Sequence, residues 1–440
     1  MLAGRTQVAF LAAIVAVAVT VAVAAPAALA THDEAKDPAF YCDGSPDGGA
    51  SGAFTDAEHT VLVGDPPLPA NVRESRQTVD GFATRVLEAG PATAEEAVVF
   101  VHGNPGSSRD FDGLLSSTGR FARAVAFDVP GFGRADDRRG GPYTHTGVAA
   151  YLNGLLARLG IRRAHLVLHD FGGMWGLEWG AAHGDRLQSV VLMDAGVLIG
   201  YTPHRQALVW HFAPSGEASM ATMTRESFVT VLQAETPRPM PDDFVNRMYD
   251  DFDRATRCAV IHYYREVDDG DAIGRQQAAE LRKRPRPALV IWGDQDPYIP
   301  AAFAETQREA FPAAEVTVLP NTGHWPFVDE PGKVRDLAIP FLRRVVRSPR
   351  IVLKTGRPRA GARRLRVLAR VKGAPAIRRA RLTLFRGGKL VGASAKPLTL
   401  RSVARRGRLD LRRPLRRGRH RLVVASPDLA GPQQVAVAVR

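Results

Sequence analysis

Short, continuous runs of apolar residues recur through the middle of this chain, and helical patterns separate them. The runs lie at 97–101, 124–127, 166–168, 189–193, 288–292 and 316–319, and Ser189 and Thr317 are their only polar members. Strands that are apolar at every position are buried on both faces, which is typical of a parallel sheet covered by helices. The alternation therefore predicts the α/β fold class, with a mostly parallel sheet and helices on both faces.

The alternation starts and pauses at definite places. We expect regular structure to begin near Val61, and residues 76–87 alternate like a single strand. Between Val197 and about Arg286 the pattern is helical throughout, with aromatic and charged residues mixed. This stretch is too long for a loop in a compact domain. It predicts a helical cap at 197–286, inserted into a domain that spans 61–345.

Beyond Pro349 the chain changes to short alternating segments that glycine and proline interrupt, which predicts a small, sandwich-like all-β domain at 350–440. From Arg347 onward, 27 lysines and arginines stand against two acids, so this part carries +25 and the rest of the chain −11. A domain at 347–440 with this charge can contact anionic cell-envelope polymers or lipid headgroups. Alternatively, these arginines are solvated residues on the outer faces of the strands and have no binding role.

The first 30 residues have the pattern of a targeting segment. Arg5 is followed by an almost wholly apolar stretch at 8–25 and by Ala28-Leu29-Ala30, a small-x-small cleavage pattern. This predicts a signal peptide at 1–30 and a secreted or envelope-associated protein. The apolar stretch also has the length of an uncleaved membrane anchor. An exported protein is an unsuitable partner for nucleic acid, so none is expected.

Residues 31–60 are acidic and rich in glycine and alanine, which predicts a flexible leader. The chain has two cysteines, Cys42 and Cys258. Export permits one disulfide between them, and two free thiols are the alternative. No cluster of cysteine and histidine has the spacing of metal ligands, so we predict neither a metal nor another cofactor.

Polar residues follow four of the predicted strands. They lie in the segments His102–Ser108, His169–Gly173, Gly293–Asp296 and Asn321–His324. Open α/β sheets bind ligands at the carboxyl ends of their strands, so we expect these segments to meet at one edge of the sheet.

Asp170 stands where a strand gives way to two glycines and a helical pattern, which is the layout of a nucleophile elbow. A carboxylate in that position can attack a saturated carbon that bears a leaving group, and the product is an ester with the protein. The chain order then predicts Asp296 as the acid and His324 as the base that activates water. Asp194, which follows the run at 189–193, is the alternative acid.

Residues 61–345 resemble the α/β-hydrolase superfamily, and the aspartate at the elbow resembles haloalkane dehalogenases and epoxide hydrolases. The His102–Ser108 loop and Leu168, two residues before the nucleophile, look like the dehalogenase pattern. That resemblance implies that Asn104 contributes to a halide site and Phe171 to the oxyanion hole through its N–H. Dehalogenases usually carry tryptophan after the nucleophile, and the Phe171 ring has no N–H to donate.

The segment His262-Tyr263-Tyr264-Arg265 resembles the Tyr-Arg pair in the cap of epoxide hydrolases. This implies that the Tyr264 hydroxyl protonates the opening epoxide oxygen, and an ordinary amphipathic cap helix is the alternative. We therefore expect a hydrolase of a small organic substrate. Carbon–halogen, epoxide and ester cleavage all stay open, as does a non-catalytic protein that acts through its basic C-terminal domain.

Overall fold

The computed structural model describes residues 59–440, apart from 137–140, 213–214, 268, 348–349, 373–375, 395, 402–404, 412–413, 427–428 and 430–431. The predicted signal peptide, most of the predicted leader and Cys42 lie outside the described residues. Within the described part of the chain, no helix is both long and apolar enough to cross a membrane.

An eight-stranded sheet forms the centre of the larger domain. Its strands are β1 (Val72–Val79), β2 (Phe82–Ala89), β3 (Glu96–Val101), β4 (Arg123–Phe127), β5 (Arg163–His169), β6 (Leu187–Met193), β7 (Ala288–Gly293) and β8 (Glu315–Leu319). Their order in space is β1-β2-β4-β3-β5-β6-β7-β8. The pairs β1–β2 and β2–β4 are antiparallel, and the other pairs are parallel. Every residue of β3, β4 and β7 is buried, so the predicted α/β fold is confirmed.

Helices cover the sheet and also fill the long interval between β6 and β7. The helices before this interval are α1 (Asp112–Gly119), α2 (His145–Arg158) and α3 (Phe171–Ala182). Those inside it are α4 (Arg205–His211), α5 (Ser215–Thr222), α6 (Arg225–Glu235), α7 (Asp242–Asp250), α8 (Arg254–Arg265) and α9 (Gly270–Arg282). Those after it are α10 (Phe303–Thr306), α11 (Pro326–Asp329) and α12 (Pro331–Val345). We call α4 to α8 the cap.

The single strand predicted at 76–87 is wrong, because these residues belong to a hairpin of β1 and β2. The chain reverses at Asp80-Gly81, where φ is 48° and 84°. Two successive residues with positive φ make the tight turn that Asp-Gly favours between paired strands. The first regular element begins at Val72 rather than near Val61.

A buried arginine joins the cap to the loop that follows β3. Arg247 of α7 donates from Nη2 to Asp110 Oδ1 over 2.8 Å and from Nη1 to Ser107 Oγ over 3.1 Å. A buried charge is stable only when it is paired and hydrogen-bonded, so this contact fixes the position of α7 over the loop. Cys258 of α8 is disulfide-bonded. The only other cysteine of the sequence, Cys42, lies outside the described residues.

The C-terminal part of the chain is a separate, all-antiparallel β domain. Its strands are β9 (Arg350–Thr355), β10 (Arg364–Lys372), β11 (Ala376–Arg386), β12 (Lys389–Ala393), β13 (Leu398–Arg401), β14 (Arg405–Asp410), β15 (Gly418–Ala425) and β16 (Gln433–Val439). One sheet has the order β14-β10-β9, the other β12-β11-β15-β16 with β13 beside β11. Their inner faces share an apolar core of their own, which includes Leu365, Val367, Leu384 and Leu422.

Candidate active site

Asp170 occupies a sharp turn between β5 and α3. Its backbone has φ 51° and ψ −128°, a conformation that costs free energy in a residue with a side chain. Close packing enforces the turn, because a Cβ on Gly172 would lie 2.2 Å from the Val101 carbonyl oxygen. A Cβ on Gly103 would lie 2.2 Å from Asp170 Oδ1. The turn therefore needs glycine on both sides of the carboxylate, and the Asp170 side chain is left 12% exposed.

His324 lies between two carboxylates. Its Nε2 is 3.3 Å from Asp170 Oδ2, and its Nδ1 is 2.8 Å from Asp296 Oδ2. The other oxygen of Asp296 accepts the backbone N–H groups of Tyr298 and Ile299 over 2.8 and 3.0 Å. The three residues thus form a connected chain of carboxylate, imidazole and carboxylate, which is the spatial arrangement of a catalytic triad.

Opposite effects set the charges of this triad. Burial alone would lower the pKa of His324, but the carboxylates of Asp296 and Asp170 raise the pKa well above its ordinary value. Burial would likewise raise the pKa of Asp170, yet His324, His169 and the Asn104 N–H lower it to about 2. The resting site therefore holds an Asp170 carboxylate and a protonated His324.

The alternative acid, Asp194, lies beside Asp296 rather than against His324 Nδ1. Its Oδ1 accepts the Gly293 N–H over 2.9 Å, and its Oδ2 has no hydrogen-bond partner among the described residues. Burial and the neighbouring Asp296 raise the pKa of Asp194 well above its ordinary value. Two adjacent buried carboxylates cannot both be ionised, so Asp194 is the neutral member of the pair.

The two predicted oxyanion donors flank the nucleophile. The Asn104 N–H donates to Asp170 Oδ1 over 2.7 Å. Phe171 is the first residue of α3, so its N–H has no acceptor within the helix. The Phe171 ring packs edge-on against the Tyr264 ring, with 4.9 Å between centroids. The Asn104 N–H therefore lies at the Asp170 carboxyl group, and the Phe171 N–H begins the helix that follows it, so both are candidate donors to the negative oxygen of a tetrahedral intermediate.

Tyr264 reaches the site from α8, the fifth helix of the cap. Its hydroxyl lies beside the Asn104 side-chain amide, and the buried surroundings and the Asp170 charge raise the pKa of Tyr264 well above its ordinary value. The hydroxyl therefore stays protonated and can donate a proton to an oxygen near the nucleophile.

Sequence reasoning missed His204, which caps α4. Its Nδ1 accepts the Ala207 N–H, so the neutral ring carries its proton on Nε2. Burial lowers the pKa of His204 to about 4, and the ring is therefore neutral near pH 7. His204 lies outside every strand-end motif, and its only signal in the sequence was a capping residue before a helical pattern.

His169 was expected at this edge of the sheet but without a role, and it contacts the backbone of His324. Its Nε2 lies 2.8 Å from the His324 carbonyl oxygen, and the two rings are 4.8 Å apart. Burial lowers the pKa of His169 to about 4. A neutral His169 that donates to this carbonyl fixes the His324 backbone beside the nucleophile.

Two cavities meet at the nucleophile, one of about 360 Å³ and one of about 290 Å³. Both are lined by Asp170, His204, Tyr264 and Tyr298. The Tyr298 hydroxyl is not free, because it donates to the Glu235 carboxylate. The described residues contain no group of three or more His, Cys, Asp or Glu side chains that could hold a metal ion. An organic substrate can thus contact the nucleophile and two neutral cap donors at once.

Comparison with known proteins identifies the family of this fold and site. The model of the alpha/beta hydrolase family matches residues 98–337. A 2-hydroxy-6-oxononadienedioate/2-hydroxy-6-oxononatrienedioate hydrolase from Burkholderia vietnamiensis is 25% identical over 295 residues, 60% of this chain and 93% of that protein.

Solved structures share the same fold. The Cif epoxide hydrolase from Acinetobacter nosocomialis has a TM-score of 0.56 at 17% identity, and the match covers 63% of this chain and 90% of that one. A haloalkane dehalogenase from Bradyrhizobium elkani has a TM-score of 0.55 at 22% identity, with 62% and 98% covered. At these identities the two likenesses show the fold alone. The family match covers more than half of the sequence, and the chain belongs to the α/β-hydrolase family.

Proposed function

We propose that this protein hydrolyses an epoxide through a covalent ester on Asp170. The choice of an epoxide as substrate rests on one observation. Two neutral hydrogen-bond donors of the cap, Tyr264 and His204, line the same cavities as the Asp170 carboxylate. Opening an epoxide creates an alkoxide on the ring oxygen, and this oxygen needs a proton from a donor close to the nucleophile. A leaving halide needs no proton. The Cif epoxide hydrolase that shares the fold is compatible with this reaction.

In the first half-reaction, an oxygen of the Asp170 carboxylate attacks one epoxide carbon. The carbon–oxygen bond of the ring breaks as the ester bond forms, and the ring oxygen takes its proton from the Tyr264 hydroxyl. The Nε2–H of His204 donates a hydrogen bond to the same oxygen. Asp170 is suited to this step because its pKa of about 2 keeps it ionised.

Loss of the Asp170 charge lets the resting proton of His324 leave to solvent, and solvent returns a proton to the Tyr264 oxygen. In the second half-reaction, water attacks the ester carbonyl while the neutral His324 accepts its proton. The N–H groups of Asn104 and Phe171 donate to the negative oxygen of the tetrahedral intermediate. When the intermediate collapses, His324 gives this proton to the departing alkoxide, so the diol leaves with one original oxygen of Asp170. The oxygen of water stays in the Asp170 carboxyl group, whose proton returns to His324.

Haloalkane cleavage is the second candidate, and the Asn104 side chain favours it. Its amide lies in the wall of one cavity beside the nucleophile, and its Oδ1 has no hydrogen-bond partner among the described residues. The Nδ2 donors of such an amide can bind a leaving halide. Phe171 offers no second side-chain donor, whereas Tyr264 and His204 offer two to an alkoxide.

A matched substrate panel tests the proposal. An epoxide, a bromide and an ester of the same alkyl chain are compared with wild type, Asp170→Ala, Tyr264→Phe and His204→Asn. We expect epoxide turnover, its loss in Asp170→Ala, and a decrease of about 10- to 100-fold in each cap variant. Asn can still cap α4, which controls for folding. Preferred turnover of the bromide, unaffected by Tyr264→Phe, would select the second candidate.

A single turnover in ¹⁸O-labelled water tests the covalent step itself. The route predicts one labelled oxygen in the peptide that contains Asp170 and none in the diol. Label in the diol alone would show that water attacks the substrate directly.

We further propose that the protein is exported with cleavage after Ala30. The support is the sequence pattern of residues 1–30, a positive start, an apolar stretch and a small-x-small site. N-terminal sequencing of protein from the culture medium should begin at residue 31. Recovery of the chain in the membrane fraction with residues 1–30 intact would show an anchor instead.

A further inference from the structure

On β9 and β10, one outer face of the C-terminal domain carries five exposed cations among the side chains described there; Arg364 lies opposite Asp410 in the register, and the other four form a group. On β10, inward Leu365 and Val367 alternate with outward residues, and outward Arg366, Arg370 and Lys372 are exposed. Lys354 of β9 is exposed as well, and the register pairs it with Leu368 of β10, between Arg366 and Arg370. We call Lys354, Arg366, Arg370 and Lys372 the basic face.

Among the side chains that the structure describes, no acid forms an ion pair with the basic face. None of its four side chains forms an ion pair or a side-chain hydrogen bond with another described residue. The other sheet differs, because Arg421 there contacts the Phe385 ring and donates to the side chain of Gln434. Like charges that are close across a sheet are destabilising, so an anion bound at the basic face would relieve this repulsion.

The spacing on the sheet indicates the shape of that anion. Residues at i and i+2 on a strand are about 7 Å apart, and diagonal neighbours on paired strands are about 7–8 Å apart. Arg366, Lys354, Arg370 and Lys372 therefore form a row about 20 Å long. A small anion contacts one or two of these cations, whereas an extended chain with regularly repeated anions contacts all four.

We propose that the basic face binds a linear phosphodiester polymer of the cell envelope. Arginine and lysine recognise phosphate through charge-assisted hydrogen bonds, and an open strand face admits a flexible chain along its length. The two outward apolar residues in the row are Val352 and Leu368, both aliphatic. Single-stranded nucleic acid is bound on aromatic side chains that stack its bases, so a polymer without bases fits this face better.

Binding of the full chain to poly(glycerol phosphate) tests the proposal, with oligo(dT) and anionic phospholipid vesicles as competing probes. The basic-face variant removes four charges, by Lys354→Gln, Arg366→Gln, Arg370→Gln and Lys372→Gln. The control variant removes four exposed charges elsewhere in the same domain, by Arg381→Gln, Lys389→Gln, Arg416→Gln and Arg419→Gln. Circular dichroism and turnover by the hydrolase domain verify that both variants fold.

Four phosphate contacts with a flexible polyanion predict that affinity falls about 50-fold between 50 and 200 mM salt. We expect the basic-face variant to bind at least 10-fold more weakly in 50 mM salt and to lose most of this salt dependence. The control variant should stay within about threefold of wild type. Equal losses in the two variants would show diffuse attraction, and tighter binding to oligo(dT) or vesicles would assign another partner. Either result overturns the proposal, as does a lack of binding to the polymer.

Discussion

Replacing His324 by glutamine should stop the reaction at the ester. The substitution removes the base that contacts the nucleophile, since His324 Nε2 is 3.3 Å from Asp170 Oδ2. It leaves the Asn104 N–H bound to Asp170 and leaves the cap untouched. The first half-reaction should therefore proceed and the second should fail.

His324→Gln should slow the two half-reactions to different extents. Loss of a general base slows a step by about 10²–10⁴-fold, and this applies to ester hydrolysis. Of the three triad residues, ester formation needs only an ionised Asp170, while Tyr264 and His204 act on the ring oxygen. His324 contributes strongly to the low pKa of Asp170, about 2, and without His324 this pKa should rise toward the ordinary value of about 4. The carboxylate is still ionised at pH 7, so ester formation should stay within about 10-fold of wild type.

Mass spectrometry of the intact His324→Gln protein, mixed with excess substrate, measures the result. An epoxide should add its whole mass to the chain, because no atom leaves when the ring opens. A haloalkane should add its mass less that of the hydrogen halide, which separates the two candidate reactions in one experiment. His324→Gln combined with Asp170→Ala should show no adduct. A multiple-turnover rate near that of wild type in His324→Gln would refute the assignment of His324.

Two further pairs of variants test the geometry. Asp194→Asn should keep activity within about threefold, because a neutral carboxyl group and an amide are nearly isosteric. Asp296→Asn should lower the rate of ester hydrolysis by about 10²–10⁴-fold. Equal losses of the two variants in steady-state assays would contradict the assigned charges. Gly103→Ala should lower kcat by about 10²-fold, because the new methyl group would displace the Asp170 carboxylate. Gly113→Ala in α1 is its control, since a Cβ there meets no atom within 4 Å, and comparable kcat values for the two would show that the packing at Gly103 is not needed.

The strand-end segments were predictable because their positions follow from a single physical rule. The buried middle of a parallel strand is mostly apolar, so the polar segment that follows it marks the edge of the sheet. That rule is sufficient to bring Asp170, Asp296 and His324 to one edge from distant parts of the chain. The same rule brings Asp194 there, and only packing distinguishes the two acids, because it orders the carboxyl groups relative to His324 Nδ1.

The presence of a helical cap could be predicted, but the packing of its helices could not. His204 reaches the nucleophile only because α4 packs on α8, and a helical pattern does not specify which helices pack together. The prediction of one strand at residues 76–87 was wrong because of a local feature of the sequence. Apolar alternation continues on both sides of Asp80-Gly81, and only the Asp-Gly pair itself indicates the two-residue turn between the strands.

The charges of the triad connect the two half-reactions, and pH separates them. In the resting site, the carboxylates of Asp170 and Asp296 keep His324 protonated. Ester formation removes the charge of Asp170. The pKa of His324 must then fall toward that of a histidine paired with Asp296 alone. The base therefore becomes available only once there is an ester to hydrolyse. Because the pKa of Asp170 is about 2 and that of His204 about 4, ester formation should be nearly constant between about pH 5 and 8. Ester hydrolysis should slow as pH falls, since acid returns the proton to His324. Rapid-quench measurement of the two steps separates them, and a pH-independent hydrolysis step would show that the ester does not free the base.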